Sequence, residues 1–393
     1  MAECNPDISE IGQAISEIAE NPVTGEVRIK LHDGRILQSS LGSGDRSSVL
    51  REVSYSFSSG MIRLESVRGD LFEVDPEGVR SESGRPPVVY LDQCHWSALS
   101  NSIFDRARIS NEKDLEAAEQ LIEWAESGRV IMPVSSAHAL ETSALFNERR
   151  QNLASTILRI SRGWQMRSPV IVRMREMSEV LSGVYSVSAA PSEPDVFSLA
   201  AGAMNTKKLV IDASDLPPGL SRLTNRLTAF STIYDVLMNP ERVPSPVAGW
   251  HEHFNNVSGD PEFQARSPKQ KEIDGRAIAV SDVLQEAVMT AHGLGIPVEE
   301  RLASVLYERI DSMPSLRVYG DVIGHRLKNR AKWEPNDLID ILFLGCAAAY
   351  ADVVVAERVA TNYLQRSWGR RDRACPVVAK LPEAVEKLSH LLG

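Results

Sequence analysis

Apolar and polar positions alternate in short runs over the first 85 residues. The alternation surrounds His32-Asp33-Gly34 in GEVRIKLHDGRILQSS and Arg68-Gly69-Asp70 in SGMIRLESVRGDLFEVDP. This pattern about a glycine-containing turn is typical of antiparallel hairpins. We therefore predict a small β-rich domain over residues 1–80, with a helix near Ile8 to Ala19 and a Gly-, Ser- and Pro-rich linker after it.

From Pro87 onward the apolar residues come in runs without alternation. Val88 to Leu91 is predicted as a strand buried on both faces. A helix over Asp114–Glu126, a second strand in VIMPVS and a helix in AHALETSALFNERR, capped by Ser135 or Ser136, are predicted to follow. This order of elements indicates a parallel sheet and an α/β fold.

The α/β pattern returns near the end of the chain. PNDLIDILFLGCAAAYA and RVATNYLQRSW are predicted as helices, and DVVVAE and CPVVAKL as strands. Residues 151–332, between the two α/β segments, are mostly helical in pattern and too long for an ordinary connection. We interpret them as a helical insertion in one domain that spans residues 86–393.

Composition narrows the class of protein. Of the 393 residues, 43% are hydrophobic and 24% charged, as in ordinary globular proteins. The first residues lack a signal-peptide pattern, and no apolar run is long enough to span a membrane. The four cysteines are scattered, which argues against a zinc or disulfide framework and for a cytoplasmic protein. A net charge of −10 argues against binding nucleic acid by bulk attraction, so any such binding requires local basic patches.

Carboxylates recur where strands end and the adjoining helices begin. Asp92 ends the first apolar strand, Glu141 lies in the helix after the second, Asp337 and Asp340 open a helix, and Glu357 follows the third strand. In a parallel sheet these places share one edge, so the acids are expected to converge. Like charges brought together favour a bound cation, and oxygen ligands favour Mg²⁺ or Mn²⁺.

Structural explanations compete for the same acids. Carboxylates in the first turn of a helix, such as Asp337 and Asp340, complement the helix dipole by about 0.3–1 kcal/mol. For Glu141 the competing explanation is a surface ion pair with Arg149 or Arg150, and we favour a role in the site. Asp352 is a competing acid near Glu357, but it begins its strand and is expected to point to the opposite edge of the sheet.

Three segments together resemble the PIN-type nuclease family: VVYLDQCHWSAL, GRVIMPVSSAHALETSAL and NDLIDILFLGCAAAYADVVVAERVATNYL. The resemblance covers roughly residues 87–150 and 335–370. It implies a PIN-like sheet and a metal-dependent nuclease that acts on RNA in preference to DNA. By the same resemblance, Asp92, Glu141, Asp340 and Glu357 hold Mg²⁺ or Mn²⁺. Asp337, one turn before Asp340, joins the catalytic set as a ligand, a supporting group or a base.

The basic residues nearest these acids are candidates for nucleic-acid binding. Arg326, Lys328 and Arg330 precede the helix that Asp337 opens, and Arg358 follows Glu357. We expect them to attract the phosphate backbone, although Arg358 can instead pair with Glu357. Since PIN-type domains often pair, a homodimer is a further candidate assembly; no membrane partner is expected.

Two other functions remain open. Gln93-Cys94 stands where the family carries small polar residues, and Glu357 where it usually carries Asp, which favours a catalytically inactive binding or scaffold module. The large insertion favours a toxin- or defence-type nuclease controlled by an inhibitor protein. Metal-dependent turnover would exclude the inactive module.

Overall fold

The protein has a mixed α/β fold with one antiparallel and one parallel sheet. The computed structural model describes residues 12–40, 48–75, 85–187, 196–204, 218–238, 249–298, 301–368 and 375–393. Contacts divide the chain into two compact units. The first comprises Met1–Pro86, Trp96–Met166 and Phe197–Val243, and the second Pro87–His95, Arg167–Val196 and Pro244–Gly393. The domain limits inferred from sequence, 1–80 and 86–393, stay a prediction.

The described strands form three sheets. They are β1 (Ile15–Glu20), β2 (Glu26–Leu31), β3 (Ile36–Ser40), β4 (Leu50–Ser56), β5 (Ile62–Ser66), β6 (Leu71–Val74), β7 (Val89–Leu91), β8 (Gln165–Met166), β9 (Phe197–Ser198), β10 (Val353–Val355) and β11 (Val377–Val378). Their orders are β3-β2-β1-β4-β5-β6, β11-β10-β7 and β8-β9.

Helices make up most of the remaining described chain. They are α1 (Gln93–Phe104), α2 (Glu112–Glu126), α3 (Ser136–Ser143), α4 (Asn147–Ser161), α5 (Pro169–Tyr185), α6 (Pro218–Met238), α7 (Trp250–Gly259), α8 (Pro261–Ala265), α9 (Pro268–Asp282), α10 (Leu284–Gly293), α11 (Arg301–Glu308), α12 (Pro314–Lys328), α13 (Asp337–Tyr350), α14 (Arg358–Trp368) and α15 (Leu381–Leu392). Among the described residues, no helix is both long and apolar enough to cross a membrane.

The six-stranded antiparallel sheet belongs to the first unit. Both predicted hairpins are confirmed: β2 pairs with β3, and β5 with β6. The helix predicted near Ile8 to Ala19 is wrong over its described part, because Ile15–Glu20 is strand β1. A register shift between Ile15 and Glu17 interrupts the alternation of the strand and leaves a helix-like spacing. Residues 8–11 lie outside the described residues.

One face of this sheet is buried by helices of the same unit. Leu50, Ile62 and Leu64 are fully buried, and α6 packs on β4. The Asp235 carboxylate of α6 accepts hydrogen bonds from the Ser48 hydroxyl (2.8 Å) and the Val49 N–H (3.0 Å). The sheet is therefore tied to a helix drawn from the predicted insertion.

Two predictions for the segment after α2 are corrected. The strand predicted in VIMPVS is absent from the described sheets: Ile131 and Val134 are isolated bridge residues, and Val134 pairs with Gln165. Pro133 lacks an N–H, so this run has too few donors for a regular ladder. The helix predicted over AHALETSALFNERR is two helices, α3 and α4, separated at residues 144–146.

The three-stranded parallel sheet lies in the second unit. Val89, Tyr90 and Leu91 pair in register with Val353, Val354 and Val355, and β11 pairs on the other side of β10. All six residues of β7 and β10 are buried, which confirms that their apolar runs are strands covered on both faces. Strand β11 and helices α13 and α14 are confirmed too, whereas α15 was not predicted.

Two helices of the second unit, α9 and α12, approach each other very closely. A Cβ atom built on Gly275 would lie 2.4 Å from the Gly324 Cα atom. Such a distance cannot be accommodated without moving backbone. Ion pairs flank the contact, Arg276 with Asp321 at 3.0 Å and Lys328 with Glu272 at 3.0 Å.

We predict that Gly275→Ala lowers the free energy of unfolding by about 1–3 kcal/mol, because α9 and α12 must separate. Urea unfolding followed by circular dichroism measures this. The matched control is Gly183→Ala in α5, where nothing lies within 4 Å of the added methyl group. That variant should gain up to about 1 kcal/mol from helix propensity. Equal effects at the two glycines would show that the close approach is not required.

Candidate functional site

Asp92 lies at the carboxyl end of β7 and is held by backbone donors. Its own N–H donates to the Val355 carbonyl (2.8 Å), which extends the parallel ladder by one residue. Its carboxylate accepts from the Gln93 N–H at Oδ1 (2.8 Å) and from the Glu357 N–H at Oδ2 (3.3 Å). These bonds fix the carboxylate between the ends of β7 and β10 and offset part of its desolvation.

Glu357 and Cys94 bring two further donor atoms beside Asp92. One donor atom from each of Asp92, Cys94 and Glu357 lies within 4.8 Å of the others. Asp92 is half-buried, whereas Cys94 and Glu357 are exposed. Cys94 was not among the predicted site residues, although its place two residues after Asp92, in the first turn of α1, was a usable signal.

Asp340, in the first turn of α13, lines a small pocket with the acids from the sheet edge. This acid pocket has a volume of about 80 Å³ and is lined in part by Asp92, Arg326, Asp337, Asp340 and Glu357. Burial first, and then the carboxylates of Asp92, Asp337 and Glu357, raise the pKa of Asp340 to about 7, while Arg326 acts to lower it. The acids that the sequence places far apart therefore interact electrostatically.

Asp337 differs from Asp340 because its charge is already compensated. Arg326 Nη2 donates to Asp337 Oδ2 at 2.5 Å, and the Glu334 N–H donates to the same oxygen at 2.7 Å. No side-chain hydrogen bond or ion pair involves the Asp340 carboxylate within the described chain. Asp340 is thus the acid of α13 that is free to bind a ligand, and Asp337 is the one that anchors the helix start.

Arg326 is buried between two aromatic rings. Its guanidinium carbon lies 4.5 Å from the Trp333 ring centroid and 5.6 Å from that of Tyr363. Its Nη2 also donates to the Lys332 carbonyl at 2.9 Å. The side chain is only 9% exposed, so these contacts set the position of its charge against Asp337.

The segment that carries Trp333 is positioned by α7. The Asn255 side chain donates to the Trp333 carbonyl (2.9 Å) and accepts from the Trp333 N–H (3.0 Å). The Trp333 ring is buried and stacks on Phe254, with centroids 4.5 Å apart. Sequence reasoning missed Asn255, Trp333 and Tyr363 as supports of the site, since their roles depend on contacts between distant segments.

The other predicted nucleic-acid-binding residues differ in the hydrogen bonds and ion pairs that their side chains form. Lys328 Nζ pairs with Glu272 at 3.0 Å, and Arg330 Nε donates to the Gln264 amide oxygen at 2.8 Å. Arg358 is exposed, and no ion pair to Glu357 or another acid involves it in the described part of the chain. A role for Arg326, Lys328, Arg330 and Arg358 in binding nucleic acid stays a prediction.

Glu141 and Asp352 complete the predicted acids. Glu141 lies in α3, which belongs to the first unit, whereas the acid pocket is built from the second unit alone. Its place in the acid constellation stays a prediction. Asp352 Oδ2 accepts from the Val88 N–H at 2.8 Å, at the amino ends of β7 and β10. The expectation that Asp352 points away from the other acids is confirmed.

Comparison of this chain with protein-family models, with curated proteins and with solved structures finds no significant match to any of them.

The raised pKa of Asp340 predicts a specific dependence of stability on pH. Because the folded-state value of about 7 exceeds the ordinary 3.8, the folded protein loses stability as pH rises from about 4 to 7. We expect Asp340→Asn to remove this penalty and to raise the free energy of unfolding at pH 8, in EDTA, by on the order of 1–3 kcal/mol. The gain should disappear by pH 4.

Chemical unfolding at both pH values, in the presence of EDTA, measures the effect. The control is Glu386→Gln, an exposed carboxylate of α15 that does not line the acid pocket. It should leave the pH dependence as in the wild type. An Asp340→Asn variant that is equally destabilised at pH 4 and pH 8 would contradict the electrostatic account.

Proposed function

We propose that this protein is a metal-dependent nuclease that hydrolyses phosphodiester bonds, in RNA in preference to DNA. The observation that carries the proposal is the convergence of Asp92, Asp340 and Glu357 on one small pocket at the carboxyl edge of the parallel sheet. Burial raises the pKa of Asp340, the neighbouring carboxylates add to this effect, and a bound cation would relieve their repulsion. Perturbed acids of this kind are typical of functional sites.

The donor set fits Mg²⁺ or Mn²⁺. Asp92, Asp340 and Glu357 offer hard carboxylate oxygens, and a pocket of about 80 Å³ has room for an ion with part of its hydration shell. Cys94 adds a softer sulfur donor at the exposed side, which Mn²⁺ tolerates better than Mg²⁺. Asp92, Asp340 and Glu357 are the proposed ligands.

In such a mechanism the residues of the chain have distinct tasks. A bound divalent cation would supply a water of lowered pKa and positive charge opposite the phosphate. The Asp92 carboxylate keeps a fixed orientation because two backbone N–H groups hold it. Arg326 neutralises Asp337 and limits the negative charge that a phosphate would meet near the pocket. Glu357, exposed on a longer side chain, can follow a ligand at the mouth of the pocket.

A PIN-like fold is part of the proposal. Its support is the parallel order β11-β10-β7, with an acid after β7, acids at the start of α13 and an acid after β10. The absence of a regular strand in residues 130–135 is a departure from the pattern expected from the sequence.

An inactive nucleic-acid-binding module is the second candidate. It is favoured because both Asp92 oxygens already accept hydrogen bonds from backbone N–H groups, which leaves fewer lone pairs for a metal. Such a module would bind RNA without turnover.

The test is cleavage of end-labelled RNA and single-stranded DNA by the full chain in Mg²⁺, Mn²⁺ or EDTA. The proposal predicts products with Mg²⁺ or Mn²⁺ and none in EDTA, with RNA cut faster than DNA. Binding without cleavage under every metal condition would reject hydrolysis and favour the inactive module. A faster reaction on DNA would reject the preference for RNA alone.

A further inference from the structure

A second, larger pocket lies among the helices of the second unit. This basic pocket has a volume of about 320 Å³ and is formed by α9, α11, α12 and α14. Its polar lining includes Lys269, Arg276, Tyr307, Asp321, His325 and Arg366. The volume is at the lower end of the range, about 300–1,000 Å³, in which proteins bind small organic ligands.

The acidic groups of the basic pocket are already paired, whereas two of its cations are not. Asp321 pairs with Arg276 at 3.0 Å, and Glu272 with Lys328 at 3.0 Å. Neither Lys269 nor Arg366 forms an ion pair within the described residues, and both are exposed. The charge left for a ligand is therefore positive, which suits a phosphate group.

The remaining lining residues suit a planar, partly polar group. Tyr307 and Ile273 offer an aromatic ring and an apolar side chain, both partly accessible. Burial lowers the pKa of His325, so its imidazole is neutral near pH 7 and can both donate and accept a hydrogen bond. A nucleobase needs this combination of a stacking surface and hydrogen-bonding groups.

The basic pocket and the acid pocket share two helices. Arg366 lines the basic pocket and Tyr363 the acid pocket, three residues apart on α14. On α12, His325 and Arg326 are consecutive and line the basic and the acid pocket respectively. Residues three apart on a helix have Cβ atoms about 5–6 Å apart, so the two pockets adjoin.

We propose that the basic pocket binds one nucleotide unit, with its phosphate on Lys269 and Arg366 and its base against Tyr307 and Ile273. If an RNA strand places a phosphodiester in the acid pocket, the basic pocket holds the neighbouring nucleotide and acts as a specificity subsite. This role as a subsite rests on the proposed function. A free mononucleotide has the same chemistry and is the other source of such a ligand.

The test measures binding to the full chain in EDTA, where no cleavage interferes. A fluorescein-labelled single-stranded RNA hexamer is followed by anisotropy, and 5′-mononucleotides by calorimetry, at 0.15 M salt. Lys269→Gln/Arg366→Gln should weaken binding about tenfold or more through lost phosphate contacts. Ile273→Trp keeps every charge but fills the cavity, and it should weaken binding by a similar factor.

Lys380→Gln removes an exposed charge that does not line the pocket and should change affinity less than about twofold. Loss of mononucleotide binding in the pocket variants supports a free nucleotide as ligand, and loss of hexamer binding alone supports a strand. The inference is overturned if the pocket variants bind as the wild type does, or if Lys380→Gln weakens binding as much as they do.

The binding test of the basic pocket can be interpreted independently of the cleavage test. If no metal supports cleavage but the pocket variants lose nucleotide binding, hydrolysis is rejected and the nucleotide site stands. If the wild type cleaves RNA but the pocket variants bind it normally, hydrolysis stands and the subsite is rejected.

Discussion

Replacing Asp92 with asparagine should reduce metal-dependent cleavage of RNA by about a thousandfold or more, equivalent to about 4 kcal/mol of lost transition-state stabilisation. The substitution removes the charge but little volume. The amide oxygen can still accept from the Gln93 N–H, the shorter of the two backbone bonds at 2.8 Å. The amide NH₂ then meets the Glu357 N–H, a local loss of about 1 kcal/mol. The fold should therefore survive while the metal ligand is lost.

The matched control for Asp92→Asn is Asp352→Asn. Both acids flank the same pair of strands, β7 and β10, but Asp352 lies at their amino ends, where it accepts from the Val88 N–H. The asparagine oxygen can keep that bond, so cleavage should stay within about threefold of wild type. Equal losses of cleavage in the two variants would show that the effect comes from disturbing the parallel sheet and not from losing a metal ligand. Full activity in folded Asp92→Asn would remove Asp92 from the proposed site.

Replacing Arg326 with methionine should lower the free energy of unfolding by about 3–5 kcal/mol, because it leaves Asp337 charged and unpaired in a half-buried position. The methionine side chain keeps most of the apolar contact with Trp333 and Tyr363, so the loss is chiefly electrostatic. Arg326→Met should also raise the pKa of Asp340, since Arg326 is the group that opposes its neighbouring acids. Denaturant unfolding at pH 7 measures the first effect.

Two further variants isolate the ion pair. Arg326→Met/Asp337→Asn removes both charges and should recover a large part of the loss. Lys328→Met, two residues away on α12, breaks a pair with Glu272 in which each side chain is about one-third exposed, and should cost about 1 kcal/mol or less. If Arg326→Met is no more destabilising than Lys328→Met, the buried pair does not hold the start of α13.

Some elements could be predicted because local pattern and tertiary environment agree. The runs Val89–Leu91 and Val353–Val355 are apolar without alternation, and each forms a strand of the parallel sheet in which every residue is buried. The first turn of α13 carries two acids at the carboxyl edge, as the order of elements predicts. From these two features alone, Asp92, Asp340 and Glu357 could be placed together.

Other elements failed because a non-local contact or one local irregularity decided them. Ile15 and Ile18 have helical spacing, yet β1 pairs on both sides and a register shift absorbs the extra residue. In residues 130–135, apolar composition predicts a strand, but Pro133 interrupts the run, and Ile131 and Val134 form isolated bridges instead of a ladder.

The internal pairing of Arg326 could not be predicted from a basic run in the sequence. The run His325-Arg326-Leu327-Lys328 predicts a cationic helix end, and α12 does end there. Whether each cation faces solvent depends on neighbours from other segments: Asp337 and Trp333 for Arg326, and Glu272 for Lys328. These contacts join segments that are distant in the sequence, so the spacing of residues along the chain does not predict them.

Mn²⁺ titration at pH 8 shows whether the acid pocket binds a divalent cation. Electron paramagnetic resonance of free Mn²⁺ gives stoichiometry and affinity without any substrate. We expect one or two saturable sites in the wild type, at least about tenfold weaker binding in Asp340→Asn, and unchanged binding in Asp352→Asn. If the wild type leaves all Mn²⁺ free, or if Asp340→Asn binds it equally well, the acid pocket is not a metal site.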